Sequence, residues 1–420
     1  MKILLVAHKY PPFSVGGTEV YSRNLAEELA RRGNIVLVYF RSDFDHRPFA
    51  AREETLNNIR LHRVSAPLVG YRSLPPIEFY RTFLNPAIER DFANFLARER
   101  PDVVHFQHVM ALSARLIPIA RRMDFPVVLT LHDYWFLCSN SQFIWPDARI
   151  CRDKALGLNC ARCALARIRS PLTRLLRPIV APLFVIRDAL VRRSALKADC
   201  LIAPSRFLIE RYVRAGFPSE RFIYLEHGID VERIRRYPRR PSADGRVRFT
   251  YLGALAWQKG VHVVVEAFRG IPAEKAVLRI YGDPTVFPKY AAHLRQLANP
   301  ANTFLEGPIP NEDVGRVLAE TDVVVVPSLW YENSPVVIQE AFAAGVPVMA
   351  SSLGALTEKV QHGINGWLCP PGDSDSWRKS LLMVVEHPEQ RYSFCGESLR
   401  PVTLHEHVTL VEDIYKAISS

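Results

Sequence analysis

The sequence predicts an α/β protein made of two doubly wound, parallel-sheet domains of Rossmann-like type. Three observations carry the prediction. Short apolar runs alternate with segments of helical period along most of the 420 residues. The alternation restarts near residue 246 after a polar, proline-rich interruption. Polar residues collect just after the apolar runs rather than within them. Buried strands alternating with helices imply a parallel sheet covered on both faces, and in such sheets ligands sit beyond the carboxyl ends of the strands.

In chain order, "KILLVA" is the first strand, followed by a loop with Gly16 and Gly17. "TEVYSRNLAEELARRG" has apolar residues at three- and four-residue spacing and ends on Gly33, so it reads as a helix with its stop. "NIVLVYF", "DVVHFQH", "PVVLTLHD" and "ADCLIAPS" are further strands. In the second half "VRFTYLGAL", "AVLRIYGD", "DVVVVPS" and "PVMASS" are strands, separated by helices in "GVHVVVEAFRGI", "NEDVGRVLAET" and 335–345. The stretch "YPRRPSADGR" (237–246) marks the junction. The expected domains are therefore 1–236 and 246–400, with a last helix in 401–420 packing back on the first. Their strand ends are expected to face each other across a deep cleft.

Composition narrows the function without choosing it. A 48% hydrophobic, 23% charged chain buries an ordinary globular core, and a net charge of +11 favours phosphorylated ligands, nucleic acid or anionic lipid. No zinc-finger, RRM or KH pattern accompanies the charge, so nucleic acid is not expected as a partner. The apolar run ending at Ala7 is too short for a signal-peptide core and no stretch reaches membrane-spanning length, so a cytoplasmic location is expected.

The stretch "ENSPVVIQE" (332–340) concentrates the chemistry. Ser334 suits a helix N-cap, Pro335 the first helical position, and Gly345 the stop. Glu332 then lies in the loop and Glu340 on the second turn. The N–H groups of a helix start form an anion site suited to phosphate. Carboxylates beside a phosphate repel it, so they are better suited to neutral hydroxyls such as those of a sugar or ribose.

"ENSPVVIQE" followed by "AFAAGVPV" resembles the signature of the retaining glycosyltransferases of family 4, which have the GT-B fold. "YPPFSVGGTE", "TLHD", "HGID", "LGALAWQKG", "EGPIPNEDV" and "VQHGINGWLCPPGD" match in order along nearly the whole chain. The resemblance implies a hexosyltransferase moving a sugar from a UDP- or GDP-type donor to an acceptor hydroxyl, in polysaccharide or glycoconjugate assembly, with no catalytic metal. It implies an acceptor-binding first domain and a donor-binding second domain. Glu340 would accept from the nucleotide ribose and Glu332 from the transferred sugar. Backbone around Asn333, Ser334, Pro335 and Val336 would bind the diphosphate, Lys259 would neutralise the leaving charge, and Gly16 and Gly17 would approach the donor phosphates. His132 would act near donor sugar and acceptor. The family often has an Arg after the Gly of "LG"; here the residue is Ala254. A GT-B-fold nucleotide-sugar epimerase, and a non-catalytic nucleotide-sugar or polyanion binder, are the competing readings.

Two segments stand outside this pattern. Cys138, Cys151, Cys160 and Cys163 end in a C-x2-C and fit a structural zinc site, with free thiols and labile disulfides as the alternatives. Cys200, Cys369 and Cys395 read as isolated core residues. Residues 164–197 carry eight Lys or Arg and one Asp among apolar residues and prolines. They predict basic amphipathic helices, broken by the prolines, suited to the anionic inner face of a membrane or to a plain solvated surface.

Overall fold

The computed structural model describes residues 1–14, 16–47, 49–66, 76–147, 149–166, 173–387, 389, 394 and 399–419. The chain divides into two compact units, one of Met1–His227 with Leu404–Ser420 and one of Gly228–Thr403.

The first unit contains β1 (Lys2–Ala7), β2 (Ile35–Arg41), β3 (Ala50–Leu56), β4 (Ile59–Ser65), β5 (Val103–Phe106), β6 (Val127–Thr130), β7 (Cys200–Ala203) and β8 (Phe222–Tyr224). They form one sheet in the order β3-β4-β2-β1-β5-β6-β7-β8. Its helices are α1 (Gly17–Arg31), α2 (Pro76–Arg81), α3 (Pro86–Glu99), α4 (Leu116–Arg122), α5 (Leu158–Leu165), α6 (Thr173–Ala195) and α7 (Arg206–Arg214). The second unit contains β9 (Val247–Leu252), β10 (Ala276–Tyr281), β11 (Thr303–Gly307), β12 (Val323–Val326), β13 (Val348–Ser351) and β14 (Gly366–Cys369), in the order β11-β10-β9-β12-β13-β14. Its helices are α8 (Val231–Arg235), α9 (Val261–Phe268), α10 (Pro288–Leu297), α11 (Val314–Ala319), α12 (Val336–Ala343), α13 (Leu356–Lys359) and α14 (Ser374–Glu386). The last helix, α15 (Leu404–Ser419), returns to the first unit, where Val408, Val411 and Tyr415 join a core with Ile3, Leu5 and Leu25.

The second sheet is parallel throughout, and its strands are mostly buried except at the edge, where β11 exposes Phe304 and Glu306. The first sheet departs from expectation at one edge, where β3 pairs antiparallel with β4. Asn57 and Asn58, both at positive φ, make the two-residue turn. Periodicity did not reveal β3 because all of it but Ala50 is exposed, so no apolar face marks it.

The junction also differs from expectation. Ile229, Val231 and Ile234 are buried in the second core. The 237–246 stretch is tied to that unit: Arg240 donates its backbone N–H to the Ala319 carbonyl at 2.8 Å, and Arg239 donates Nη1 to the Leu318 carbonyl at 3.1 Å. The unit therefore begins at Gly228, not after 236, and runs to Thr403. Proline there marks irregular backbone inside one unit rather than a linker.

The basic segment differs as well. Pro178 and Pro182 lie inside α6 without breaking it. The carbonyls they leave without an N–H partner belong to Arg174 and Pro178, both exposed, so water can serve them. Residues 167–172 of that segment, and Cys395, lie outside the described residues. Among the described residues no helix is long and apolar enough to cross a membrane.

Candidate functional site

Each sheet has one point where successive connections leave in opposite directions. In the second unit it lies between β9 and β12, in the first between β1 and β5. Loops leaving neighbouring strands at such a point splay apart and leave a crevice. Of the residues picked out from sequence, Gly16 and Gly17 follow β1, Lys259 follows β9 and Glu332 to Glu340 follow β12 at these points, while His132 follows the neighbouring β6.

In the second unit the loop after β9 ends in a tight turn, Trp257–Lys259, closed by Gly260 at φ 68°. A Cβ on Gly260 would collide with the Pro327 carbonyl at the end of β12, so only glycine allows this approach. Leu329 donates its N–H to the Gln258 carbonyl at 2.8 Å and fastens the two loops together. Lys259 and Glu332 meet as a result: Lys259 Nζ donates to Glu332 Oε1 at 2.7 Å. Ser328 Oγ at 2.6 Å and Trp330 Nε1 at 2.9 Å donate to the same oxygen. Three donors thus converge on Oε1 of a buried carboxylate.

Glu340, on the second turn of α12, is likewise buried, and its Oε1 accepts from Arg233 Nη2 at 2.5 Å. Burial pushes its carboxyl pKa up, and the Arg233 guanidinium opposes that rise.

The start of α12 is shifted by one residue from expectation. Pro335, at φ −68° and ψ 110°, is the cap, and Val336 is the first helical residue. With its ring fixing φ and its ψ extended, Pro335 stays outside the helix and offers no N–H. Ser334 therefore does not cap the helix. Its Oγ is buried with no hydrogen-bond partner among the described residues, which marks it for a ligand. Asn333 is buried beside it.

In the first unit the switch point is filled by rings. His132 donates Nε2–H to Gln107 Oε1 at 2.8 Å, and its Nδ1 lies 3.3 Å from His227 Nε2. Burial, then neighbouring His108, holds its pKa well below the usual histidine value, so it is neutral. His105 bonds Tyr415 Oη at 2.6 Å and Thr130 Oγ1 at 2.7 Å; burial takes its pKa to about 3. His108 Nε2 lies 3.2 Å from Asp133. His8 Nε2 is 3.5 Å from Glu19 Oε1, and burial keeps His8 neutral, so this is a polar contact rather than an ion pair.

Glu19 changes the reading of Gly16 and Gly17. It is the third helical residue of α1, and its carboxylate fills the space that a Cβ on Gly16 would need. The helix start expected to receive a donor phosphate already faces a carboxylate of its own chain.

Among the described residues the four cysteines are not gathered as a metal-ligand set. Cys160 and Cys163 share α5, while Cys151 donates its thiol to the Asp153 carbonyl at 3.1 Å. Burial, and then the neighbouring Cys138, raises the thiol pKa of Cys151; burial, with Asp188 and Cys138 adding to it, takes that of Cys160 to about 12. Among the described residues no set of three or more His, Cys, Asp or Glu side chains is arranged to hold a metal ion.

Sequence reasoning missed Arg233, Ser328, Trp330 and Glu19. Glu19 had a signal, a glutamate three residues after a helix cap. Arg233 had none to separate it from the other Lys and Arg residues.

Residues 15–233 match the family described as Glycosyltransferase Family 4, and residues 234–396 match Glycosyl transferases group 1. A glycogen synthase of Mycobacterium tuberculosis is 25% identical over 400 residues, 92% of this chain and 87% of that protein. The amylovoran biosynthesis glycosyltransferase AmsK of Erwinia amylovora is 28% identical over 197 residues, 45% of this chain and 48% of that protein, so the match spans about half its length. Among solved structures, sucrose-phosphate synthase of Thermosynechococcus elongatus aligns with a TM-score of 0.70 at 20% identity, covering 99% of this chain and 98% of that one. Anabaena HepE in complex with UDP and glucose aligns at 0.67 and 17% identity, covering 99% and 100%. The two parallel-sheet units, the paired motif matches over most of the chain and these GT-B neighbours place the chain in glycosyltransferase family 4.

Proposed function

We propose that this glycosyltransferase moves a hexosyl group from a nucleotide-diphosphate sugar to an acceptor hydroxyl with retention of anomeric configuration, in polysaccharide or glycoconjugate assembly. The observation that carries the reading is the Lys259–Glu332 pair at the β9/β12 switch point, beside the buried, unpartnered Ser334 hydroxyl. The second unit binds the donor. Glu332 has its Oε1 saturated by three donors and turns Oε2 to the hydroxyls of the transferred sugar. Ser334 Oγ and the first N–H groups of α12, from Val336 on, hold the diphosphate. Asn333 orients the loop between them.

As the bond from the anomeric carbon to the phosphate oxygen breaks, Lys259 shifts its charge from Glu332 to the departing diphosphate. The acceptor oxygen bonds to the same face, and its proton passes to the phosphate oxygen that leaves. The first unit binds the acceptor. Its neutral His132, held by Gln107 and His227, shapes the acceptor site without competing for the phosphate charge. Gly16 and Gly17 give backbone access, with Glu19 as a hydroxyl acceptor. A relative in fold binds UDP and glucose, which makes UDP the first donor nucleotide to test, with GDP as the alternative.

The same reading places the enzyme at the anionic inner face of a membrane, acting on a saccharide or lipid-linked saccharide. The outer face of α6 supports this. Leu175 and Ile179 are 72% and 71% exposed, Ile186 is 61% exposed, and Leu183 continues their stripe. Leu156, just before α5, is 87% exposed. Exposed Arg174, Arg192 and Arg193 flank the stripe, and the single acid of α6, Asp188, is already paired with Lys154 and Arg187. An apolar face bordered by cations that have no carboxylate partner among the described residues matches an anionic bilayer better than it matches water.

The deciding test is thermal stability of the purified chain against UDP, GDP, ADP and their sugars. A ligand that binds only the folded state raises Tm by mass action. A selective rise with one nucleotide, lost in Lys259→Met, supports the reading. No rise with any of them overturns it.

A further inference from the structure

Lys259 pins one oxygen of Glu332 and leaves the other for a hydroxyl. Glu340 repeats the arrangement with a residue that nothing above assigns. We propose that Arg233 is the positioning residue of the nucleotide site, gripping Glu340 Oε1 so that Oε2 is presented to the ribose hydroxyls. This rests on the proposed nucleotide role of Glu340.

The grip is built from several directions. Asp230 caps α8 by accepting the Arg233 backbone N–H at 3.0 Å. Val231 and Ile234 anchor the same short helix in the core. Arg235 reaches from α8 to the Ala343 carbonyl at the far end of α12, 3.3 Å away. The Arg233 guanidinium spans two partners, Nη2 on Glu340 and Nη1 on the Asn311 carbonyl. Held at both ends, it fixes the direction of the carboxylate as a lysine on a free stem does not.

Among the described groups Arg233 is the one charge that acts on the Glu340 carboxyl; the other influence is burial, which favours the protonated form. A protonated carboxyl has one acceptor oxygen fewer to offer a ribose. Arg233 therefore maintains both the aim and the charge state of Glu340 without touching the ligand.

The test compares the full chain with Arg233→Met, Arg233→Lys and Glu340→Gln. Dissociation constants are measured for UDP against 2′,3′-dideoxy-UDP, and for GDP against 2′,3′-dideoxy-GDP, from pH 6 to 9. The wild type should prefer the ribose form by about tenfold or more, the scale of a charge-assisted hydrogen bond, with little pH dependence. Arg233→Met should lose the preference at pH 7 and regain part of it as the pH rises and Glu340 ionises. Arg233→Lys should retain more of it. A merely structural role would weaken both members of each pair equally and leave the pH profile flat. If Arg233→Met keeps the ribose preference and the flat profile while Glu340→Gln loses the preference, Arg233 is not the positioning residue. If the wild type shows no ribose preference, or Glu340→Gln keeps it, the nucleotide reading of Glu340 fails first and this inference with it.

Discussion

The switch point of the first unit is lined by imidazoles and phenols that burial keeps neutral: His8, His105, His132, His407 and Tyr21, linked through Thr130, Gln107 and Tyr415. The switch point of the second unit is lined by full charges in pairs, Lys259 with Glu332 and Arg233 with Glu340. Both sheets offer a crevice at a switch point, yet in one neutral rings predominate, with the Glu19 and Asp133 carboxylates beside His8 and His108, while the other is lined by ion pairs. A diphosphate needs the charged kind of crevice. An uncharged saccharide is served by the neutral kind, where hydrogen bonds orient hydroxyls without a strong field. The difference teaches that the fold supplies the position and the side chains decide which half of a transfer reaction each unit can serve.

The most severe way to break the comparison is Glu332→Gln. It should lower transfer by about 10²–10³-fold, the scale for loss of one preorganised electrostatic contact, while nucleotide binding by Tm shift survives. Transfer near the wild-type rate would remove the catalytic centre from the β9/β12 switch point.

Acidification should separate the two units. Burial lowers the pKa of His105 to about 3 and of His407 to about 4. Their unfolded values lie near 6.5, so the unfolded chain binds more protons below that pH. The stability they contribute is complete above about pH 6.5 and declines as pH falls toward the folded values, by about 1.4 kcal/mol per pH unit for each group. The second unit has His262, lowered to about 4, as its counterpart. Hydrogen exchange followed by mass spectrometry from pH 7 to 4.5 should show peptides of the first unit losing protection first. Equal loss in both units would mean that the ring network carries no special stability.

A narrower test is His105→Leu. It strands the buried Tyr415 hydroxyl, while Thr130 keeps Tyr21, and should cost about 1–3 kcal/mol for the orphaned group. Urea unfolding read by peptide-resolved exchange should find the loss in β5, β6 and α15, with the second unit unchanged. The smallest effect on the fold is expected from Leu175→Asp with Ile179→Asp on α6. Surface changes of this kind usually stay within about 0.5 kcal/mol, but sedimentation with phosphatidylglycerol vesicles should fall sharply while transfer to a soluble acceptor is unchanged. Vesicle binding that survives would show that this face serves something other than a membrane. A change in oligomeric state in the double variant would identify that occupant as a second copy of the chain.

What the sequence determined by itself was the local order. Apolar runs of strand length, helix stops such as Gly33 and Gly345, and the ordered motifs were enough for two parallel sheets, for the family and for Glu332, Glu340 and Lys259 as residues to watch. These signals are local because hydrophobic period, turn chemistry and motif spacing are properties of adjacent residues. β3 escaped because it exposes nearly all its side chains, and the junction was misplaced because 237–246 has the composition of a linker while its backbone is bonded into the second unit. Only the tertiary structure decided which residues meet. Lys259 reaches Glu332 across 73 positions because β9 and β12 are neighbours in the sheet, and Arg233 reaches Glu340 across 107 because α8 packs under α12. Strand order and helix packing come from the collective burial of side chains far apart along the chain, which no local pattern records.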